Sequence, residues 1–277
     1  MKKHLSTILI ILLIVIGVAL LLYPSLSNYV NSKHASRIIS DYNEAVVNAK
    51  EEEKAKILAE AEEYNRKIFS RPGVFVDDGS DSEYDTVLDI SGTGIMGYID
   101  IDKIGVEIPI YHGVSKDVLQ IGAGHLKGSS LPVGGSDTHA VLSGHRGLPS
   151  AKLFTDLDKL EVGDEFTITV LDRVLVYRID QIKIVSPEET EDLLPEAGKD
   201  YCTLITCTPY GINTHRLLVR GSRVESEVEE VRQFVSNEAF KVDTMIVAPI
   251  IALPLFILTI AASIVWKKAE NKRRKKQ

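Results

Sequence analysis

Cysteine is nearly absent from this 277-residue chain: only Cys202 and Cys207 occur, with no C-x-x-C or H-x-x-x-H pair beside them. That rules out a disulfide scaffold, and the spacing argues against a zinc site. On a single strand the two thiols would lie about 16 Å apart on opposite faces, so they cannot bond to each other. Positive charge is not in excess either, since 32 Lys and Arg stand against 39 Asp and Glu, a net charge of −7. Internal repeats are lacking, and the only low-complexity stretch is a basic one at the C-terminal end.

Long uncharged runs occur only towards the two ends. Leu5 to Tyr23 is almost wholly aliphatic and would span about 28 Å as a helix, close to the thickness of a bilayer's hydrocarbon core. Met245 to Trp266 would span about 33 Å, and its Pro249 and Pro254 are tolerated in a membrane helix. Lys2 and Lys3 precede the first run, while Lys267, Lys268, Lys272, Arg273, Arg274, Lys275 and Lys276 follow the second. The positive-inside rule then puts both ends in the cytoplasm and everything between them outside. The first run also suits a cleaved signal peptide, with Ser25-Leu26-Ser27 as the site, but its length favours an uncleaved anchor. Setting the basic ends aside leaves 23 basic and 38 acidic residues outside, a net charge near −15, which excludes nucleic acid as a partner.

The predicted organisation is a cytoplasmic stub at 1–4, a membrane segment at 5–23, and an external helical stalk with an acidic loop at 24–94. A β domain at 95–226, a linker at 227–244, a second membrane segment at 245–266 and a basic tail at 267–277 follow. Ser32 to Phe69 has helical periodicity, with Ile38, Ile39, Tyr42, Val46, Ile57, Leu58, Ala61 and Tyr64 at three- and four-residue steps. That pattern fits either a subdomain resting on the main fold or a solvated spacer. From Tyr98 onward, short β-branched runs alternate with Gly and Pro, which predicts a closed or nearly closed antiparallel barrel. The runs are Tyr98 to Ile101, Val106 to Ile110, Ala140 to Leu142, Phe166 to Val170, Val174 to Ile184, Cys202 to Thr206 and Leu217 to Gly221. Short helices are expected at Ser150 to Leu160 and Glu188 to Leu194.

Thr203 to Arg216 reads T-L-I-T-C-T-P-Y-G-I-N-T-H-R, a strand that turns through Pro209 and Gly211 into a second strand. Cys207 and Arg216 then face each other across a hairpin mouth. A soft nucleophile and a fixed cation are two of the groups acyl transfer requires, the third being a proton donor. An inert buried cysteine and a surface arginine would give the same pattern. His145 ends an apolar strand in a Gly-flanked turn, but His125, His139 and His215 compete for the donor role.

The chain resembles the sortases, and among them the class C, pilin-polymerising sortases of Gram-positive bacteria. T-L-I-T-C at Thr203 to Cys207, with Arg216 nine residues on, resembles the sortase signature. Tyr98-Ile99-Asp100-Ile101, Gly122-Ala123-Gly124-His125-Leu126 and His145-Arg146-Gly147-Leu148-Pro149-Ser150-Ala151 extend the likeness over roughly Tyr98 to Val224. The resemblance implies an eight-stranded sortase-type β-barrel with an N-terminal helical segment and two flanking transmembrane helices. It implies Cys207 as nucleophile, His145 as proton carrier and Arg216 as positioning cation, with no cofactor and no metal. The implied partners are pilin subunits bearing an L-P-x-T-G-like sorting signal, the lysine amine of the next pilin as acceptor, and the membrane, the enzyme itself being a monomer. A housekeeping sortase that attaches proteins to the cell wall and an inactive pilus-assembly scaffold are the alternatives. Class C sortases carry a lid with an Asp-Pro-aromatic motif, but here Val76 to Tyr84 reads V-D-D-G-S-D-S-E-Y. Asp81 and Tyr84 are the candidates to replace that motif, and weak gating is the expectation.

Overall fold

The computed structural model describes residues 2–71, 73, 75 and 84–224. Asp81, the second apolar run at 245–266, the linker before it and the basic tail lie outside the described residues. The described chain divides into two units, residues 2–26 and residues 27–224.

Helix α1 runs over Lys2–Asn48 with Pro24 inside it, and α2 over Glu51–Ser70. Among the described residues, α1 is the one helix long and apolar enough to cross a membrane, with mean hydropathy 1.8 in its most apolar window and none of that window buried. The break between α1 and α2 comes at Lys50, whose backbone is extended, and Glu51, Glu52 and Glu53 then suit the positive end of the new helix.

Within residues 27–224, Ala35, Ile39, Tyr42 and Val46 form one buried stripe on α1, and Ala61, Tyr64 and Asn65 are buried on α2. These helices are packed elements, so the solvated-spacer alternative does not hold. The buried Tyr42 hydroxyl donates to the Met96 carbonyl at 3.1 Å and accepts from the Leu171 amide at 2.7 Å. Asn65 makes a two-way clasp with Leu131, its Nδ2 donating to the carbonyl at 3.1 Å and its Oδ1 accepting from the amide at 2.6 Å.

The strands are β1 (Ile95–Ile101), β2 (Val106–His112), β3 (Ala123–His125), β4 (Thr138–Ser143), β5 (Glu165–Val170), β6 (Arg173–Val185), β7 (Asp200–Thr208) and β8 (His215–Arg223). They close in the order β1-β2-β3-β4-β7-β8-β6-β5. The eight-stranded barrel is as expected, but it is not wholly antiparallel, because β2 pairs with β3 and β4 with β7 in parallel. Parallel neighbours need a crossover. Helix α3 (Lys116–Ile121), which begins at the Ser115 cap, supplies the first, and the β5–β6 hairpin lies within the second. The two predicted inter-strand helices shrink to single 3-10 turns at Leu157–Lys159 and Glu191–Leu193.

Two buried histidines act as struts. His125 Nε2 donates to the Ser130 carbonyl at 2.8 Å, which leaves Nδ1 to accept from the Tyr84 hydroxyl at 2.9 Å. His139 Nδ1 donates to the Leu194 carbonyl at 3.0 Å, and Nε2 accepts from the Thr203 hydroxyl at 2.7 Å. Burial lowers both imidazoles to about 4, so each is neutral in the fold at pH 7.

Two outcomes are expected. Asn65→Ala leaves both Leu131 backbone groups unpaired and should lower the unfolding free energy by about 2 kcal/mol, read from urea midpoints; an unchanged midpoint would show the clasp to be dispensable. Because both histidines have folded values below the ordinary 6.5, the unfolded chain takes up more protons as pH falls from about 6.5 towards 4. Stability should thus be full above about pH 6.5 and fall through that window, and His139→Gln should flatten the slope by roughly half. Equal urea midpoints at pH 7 and pH 5 would contradict this.

Candidate active site

Cys207 lies one residue from the end of β7 and is directly paired with Arg216, the second residue of β8. Directly opposite residues of an antiparallel pair project to the same face. The turn between them closes with Ile212 and Asn213 donating to the Pro209 carbonyl at 3.1 and 3.0 Å. Gly211 and Asn213 sit there at φ 75° and 63°, left-handed conformations that these residue types accommodate.

His145 reaches the same end of the barrel from the other side of β7. The parallel match of β4 with β7 ends at Ser143 opposite Ile205. Gly144 carries it one step further, its amide donating to the Ile205 carbonyl at 3.0 Å and its carbonyl accepting from the Thr206 hydroxyl at 2.8 Å. His145 therefore comes level with Cys207. Gly144 is needed because a Cβ there would stand 2.5 Å from the buried Phe154 ring, whose own backbone amide donates to the His145 carbonyl at 3.2 Å.

The backbones of all three predicted site residues thus lie at one end of β7, and each residue is half-buried. Their bonding sets them apart from similar residues. The ring nitrogens of His112, His125, His139 and His215 are hydrogen-bonded, whereas no hydrogen bond engages the His145 ring among the described residues. Arg216 Nη1 donates to the Asn213 and His215 carbonyls at 3.3 and 3.1 Å, and no carboxylate pairs with it among the described residues. A cation steadied by carbonyls keeps its charge available for an oxyanion. Cys202, five residues from Cys207 on the same strand, is fully buried in the core, and desolvation pushes its thiol well up. It stays protonated and inert. Among the described residues no group of His, Cys, Asp or Glu side chains is arranged to hold a metal ion.

Sequence reasoning missed an apolar shelf beside the site. Val185 is paired with Arg216, and Ile205 with Leu218, one step in from Cys207 and Arg216 on the same face. With Val141 and Leu193 these residues form a small cluster separate from the main core, against which Leu126 and Phe75 pack. Gly73 lies alongside as well, since a Cβ there would stand 3.4 Å from Leu194 Cδ2. The alternation of apolar residues on β7 and β8 pointed to such a face, but Phe75 had no local signal.

Tyr84 does not belong to this region. It is buried at 1% exposure, hydrogen-bonded to His125 and to the Gly113 amide, with its ring against Tyr64 and His112. Those contacts fix it at β2 and β3, two strands away from β7, because a hydroxyl that bridges backbone and imidazole cannot also cover Cys207. The aromatic ring that packs on the apolar shelf is that of Phe75, not Tyr84.

The Sortase domain family matches residues 99–224. Among solved structures, sortase C1 of Streptococcus agalactiae is 50% identical, with a TM-score of 0.66, and the alignment covers 69% of this chain and all of that one. A sortase C of Clostridium perfringens, solved with the C-terminal cell wall sorting motif, is 45% identical, with a TM-score of 0.60 and coverage of 69% and 100%. Sortase D of Bacillus subtilis is 33% identical over 131 residues, 46% of this chain, which spans 63% of that relative's length. The chain belongs to the sortase family, and its structural neighbours are class C sortases.

Proposed function

We propose that this protein is a membrane-anchored cysteine transpeptidase of the class C type, which joins pilin subunits through their sorting signals. The observation that carries the reading is the placing at one end of β7 of a half-buried thiol, an imidazole with no ring hydrogen bond and a guanidinium with no carboxylate partner among the described residues. A class C neighbour solved with a sorting motif supports the choice of substrate.

In the proposed reaction the Cys207 sulfur attacks the Thr carbonyl of an L-P-x-T-G-like signal, and Arg216 stabilises the resulting oxyanion. As the C–N bond to Gly breaks, His145 delivers a proton to the leaving amine. The product is a thioester on Cys207 and a released C-terminal peptide. A lysine amine of the next pilin then attacks the thioester and gives up a proton to the imidazole. An isopeptide bond forms and the thiol returns. The apolar shelf of Val141, Val185, Leu193, Ile205 and Leu218 is the surface for the aliphatic residue at the front of the signal. Phe75 packs on that shelf as a single partly buried ring, so displacing it should cost little and the gate should be weak.

The test is hydroxylamine capture with an L-P-x-T-G peptide. Cys207→Ala should give no hydroxamate while Cys202→Ala keeps most of the wild-type rate, and the reverse result would overturn the assignment. Arg216→Lys should lose on the order of a hundredfold, because an ammonium does not reproduce the planar fork; a near-normal rate would remove Arg216 from the oxyanion role. Phe75→Ala should raise peptide cleavage by less than about tenfold, an opening cost under about 1.4 kcal/mol, and a larger rise would mean a tightly shut site.

A further inference from the structure

Arg146 follows His145 directly, and its side chain is only 9% exposed. Nη1 donates to the Thr208 hydroxyl at 3.3 Å, and Nη2 to the Asp158 carboxylate. The guanidinium carbon stands 5.9 Å from the centre of the Tyr210 ring. Gly147 continues the contact, for at φ 73° it lies so close that a Cβ would stand 2.8 Å from Tyr210 Cε2. Its amide donates to the Thr155 hydroxyl at 3.1 Å. The residue after the imidazole thus grips the residue after the thiol, and the turn beyond it.

Stability alone is a poor explanation for this arrangement. Burying a guanidinium is costly, and an apolar residue of similar size would pack such a gap at least as well. Arg146 Nε is also buried without a hydrogen-bond partner among the described residues, a penalty that folds usually avoid. What a planar fork provides and an apolar side chain does not is a fixed, directional link between two separate segments, the loop after β4 and the end of β7.

We propose that Arg146 is a positioning residue, which sets the spacing of the His145 imidazole and the Cys207 sulfur by tying their chain neighbours together through Thr208. The proposal rests on the transpeptidase reading above for its purpose, but its geometry is independent of any substrate. Loosening the link lets the loop after β4 drift from β7, so that His145 is no longer held level with Cys207. Lysine is too narrow to hold Thr208 and Asp158 together, and valine at 208 keeps the shape while losing the hydroxyl.

The experiment uses the full chain in detergent and follows the rate of Cys207 alkylation by iodoacetamide from pH 5 to pH 9, with melting temperature and hydroxylamine capture measured alongside. Arg146→Lys and Thr208→Val should each move the alkylation profile from that of the wild type towards that of His145→Ala. The double variant should go no further than Arg146→Lys alone, since both remove the same link. In hydroxylamine capture, kcat should fall by about tenfold with KM within about twofold, as expected when positioning rather than substrate binding is lost. Profiles for Arg146→Lys and Thr208→Val that coincide with the wild type, even with a lowered melting temperature, would overturn the proposal and leave Arg146 a purely structural residue. A His145→Ala profile identical to the wild type would overturn it too. Absence of hydroxamate from the wild type would sink the transpeptidase reading instead, and alkylation would still decide the role of Arg146.

Discussion

Strand β7 has hydrogen-bonded neighbours on both edges, β4 in parallel and β8 antiparallel, and the position of every proposed reacting group follows from those two ladders. A slip of one residue against β8 would turn Arg216 to the opposite face from Cys207, since side chains alternate along a strand. A slip against β4 would carry His145 away along the barrel axis. Register is hard to change here because Leu204, Leu217 and Val219 are buried on the core side, so each slip would also expose apolar surface. The energy that holds the site therefore comes from the core and the backbone, while the reacting side chains are left with few bonds of their own.

The same alternation gives the two thiols opposite fates. Cys202 faces the core, where no water reaches it and its proton is held, whereas Cys207 faces outward beside a cation. Identical chemistry five residues apart thus yields one inert group and one half-buried thiol paired across the ladder with Arg216. His125, His139 and His145 divide in a similar way. The first two are neutral struts with both ring nitrogens bonded, and their bonds are what disqualify them as proton carriers. His145 is distinguished by having a tethered backbone and, among the described residues, a ring with no hydrogen bond.

Much of this was legible beforehand, for physical reasons. Seven of the eight strands carry β-branched runs bounded by turn residues, and the pairing of Cys207 with Arg216 follows from a hairpin of that length. Strand β3 escaped notice because Ala-Gly-His has no β pattern, and α3 because six residues are too few to show a helical period. Missing both concealed the first crossover, and hence the parallel pairing of β2 with β3. Long-range polar contacts were also invisible: nothing local marks Tyr84 as the partner of His125, 41 residues away, or Arg146 as the partner of Thr208, 62 residues away. Phe75 sits in a three-residue apolar stretch, Val74-Phe75-Val76, too short to show a period, and gains meaning only from the shelf it packs on.

The proposed reaction requires that the Cys207 sulfur become acylated by a sorting signal. Its most direct test is mass spectrometry of the full-length protein, acid-quenched after brief mixing with an L-P-x-T-G peptide and then digested. A new mass equal to the peptide's acyl portion through Thr should appear on the segment holding Cys207 and be removed by hydroxylamine. An unmodified Cys207 with peptide turned over, or an adduct found on Cys202, would contradict the proposed reaction.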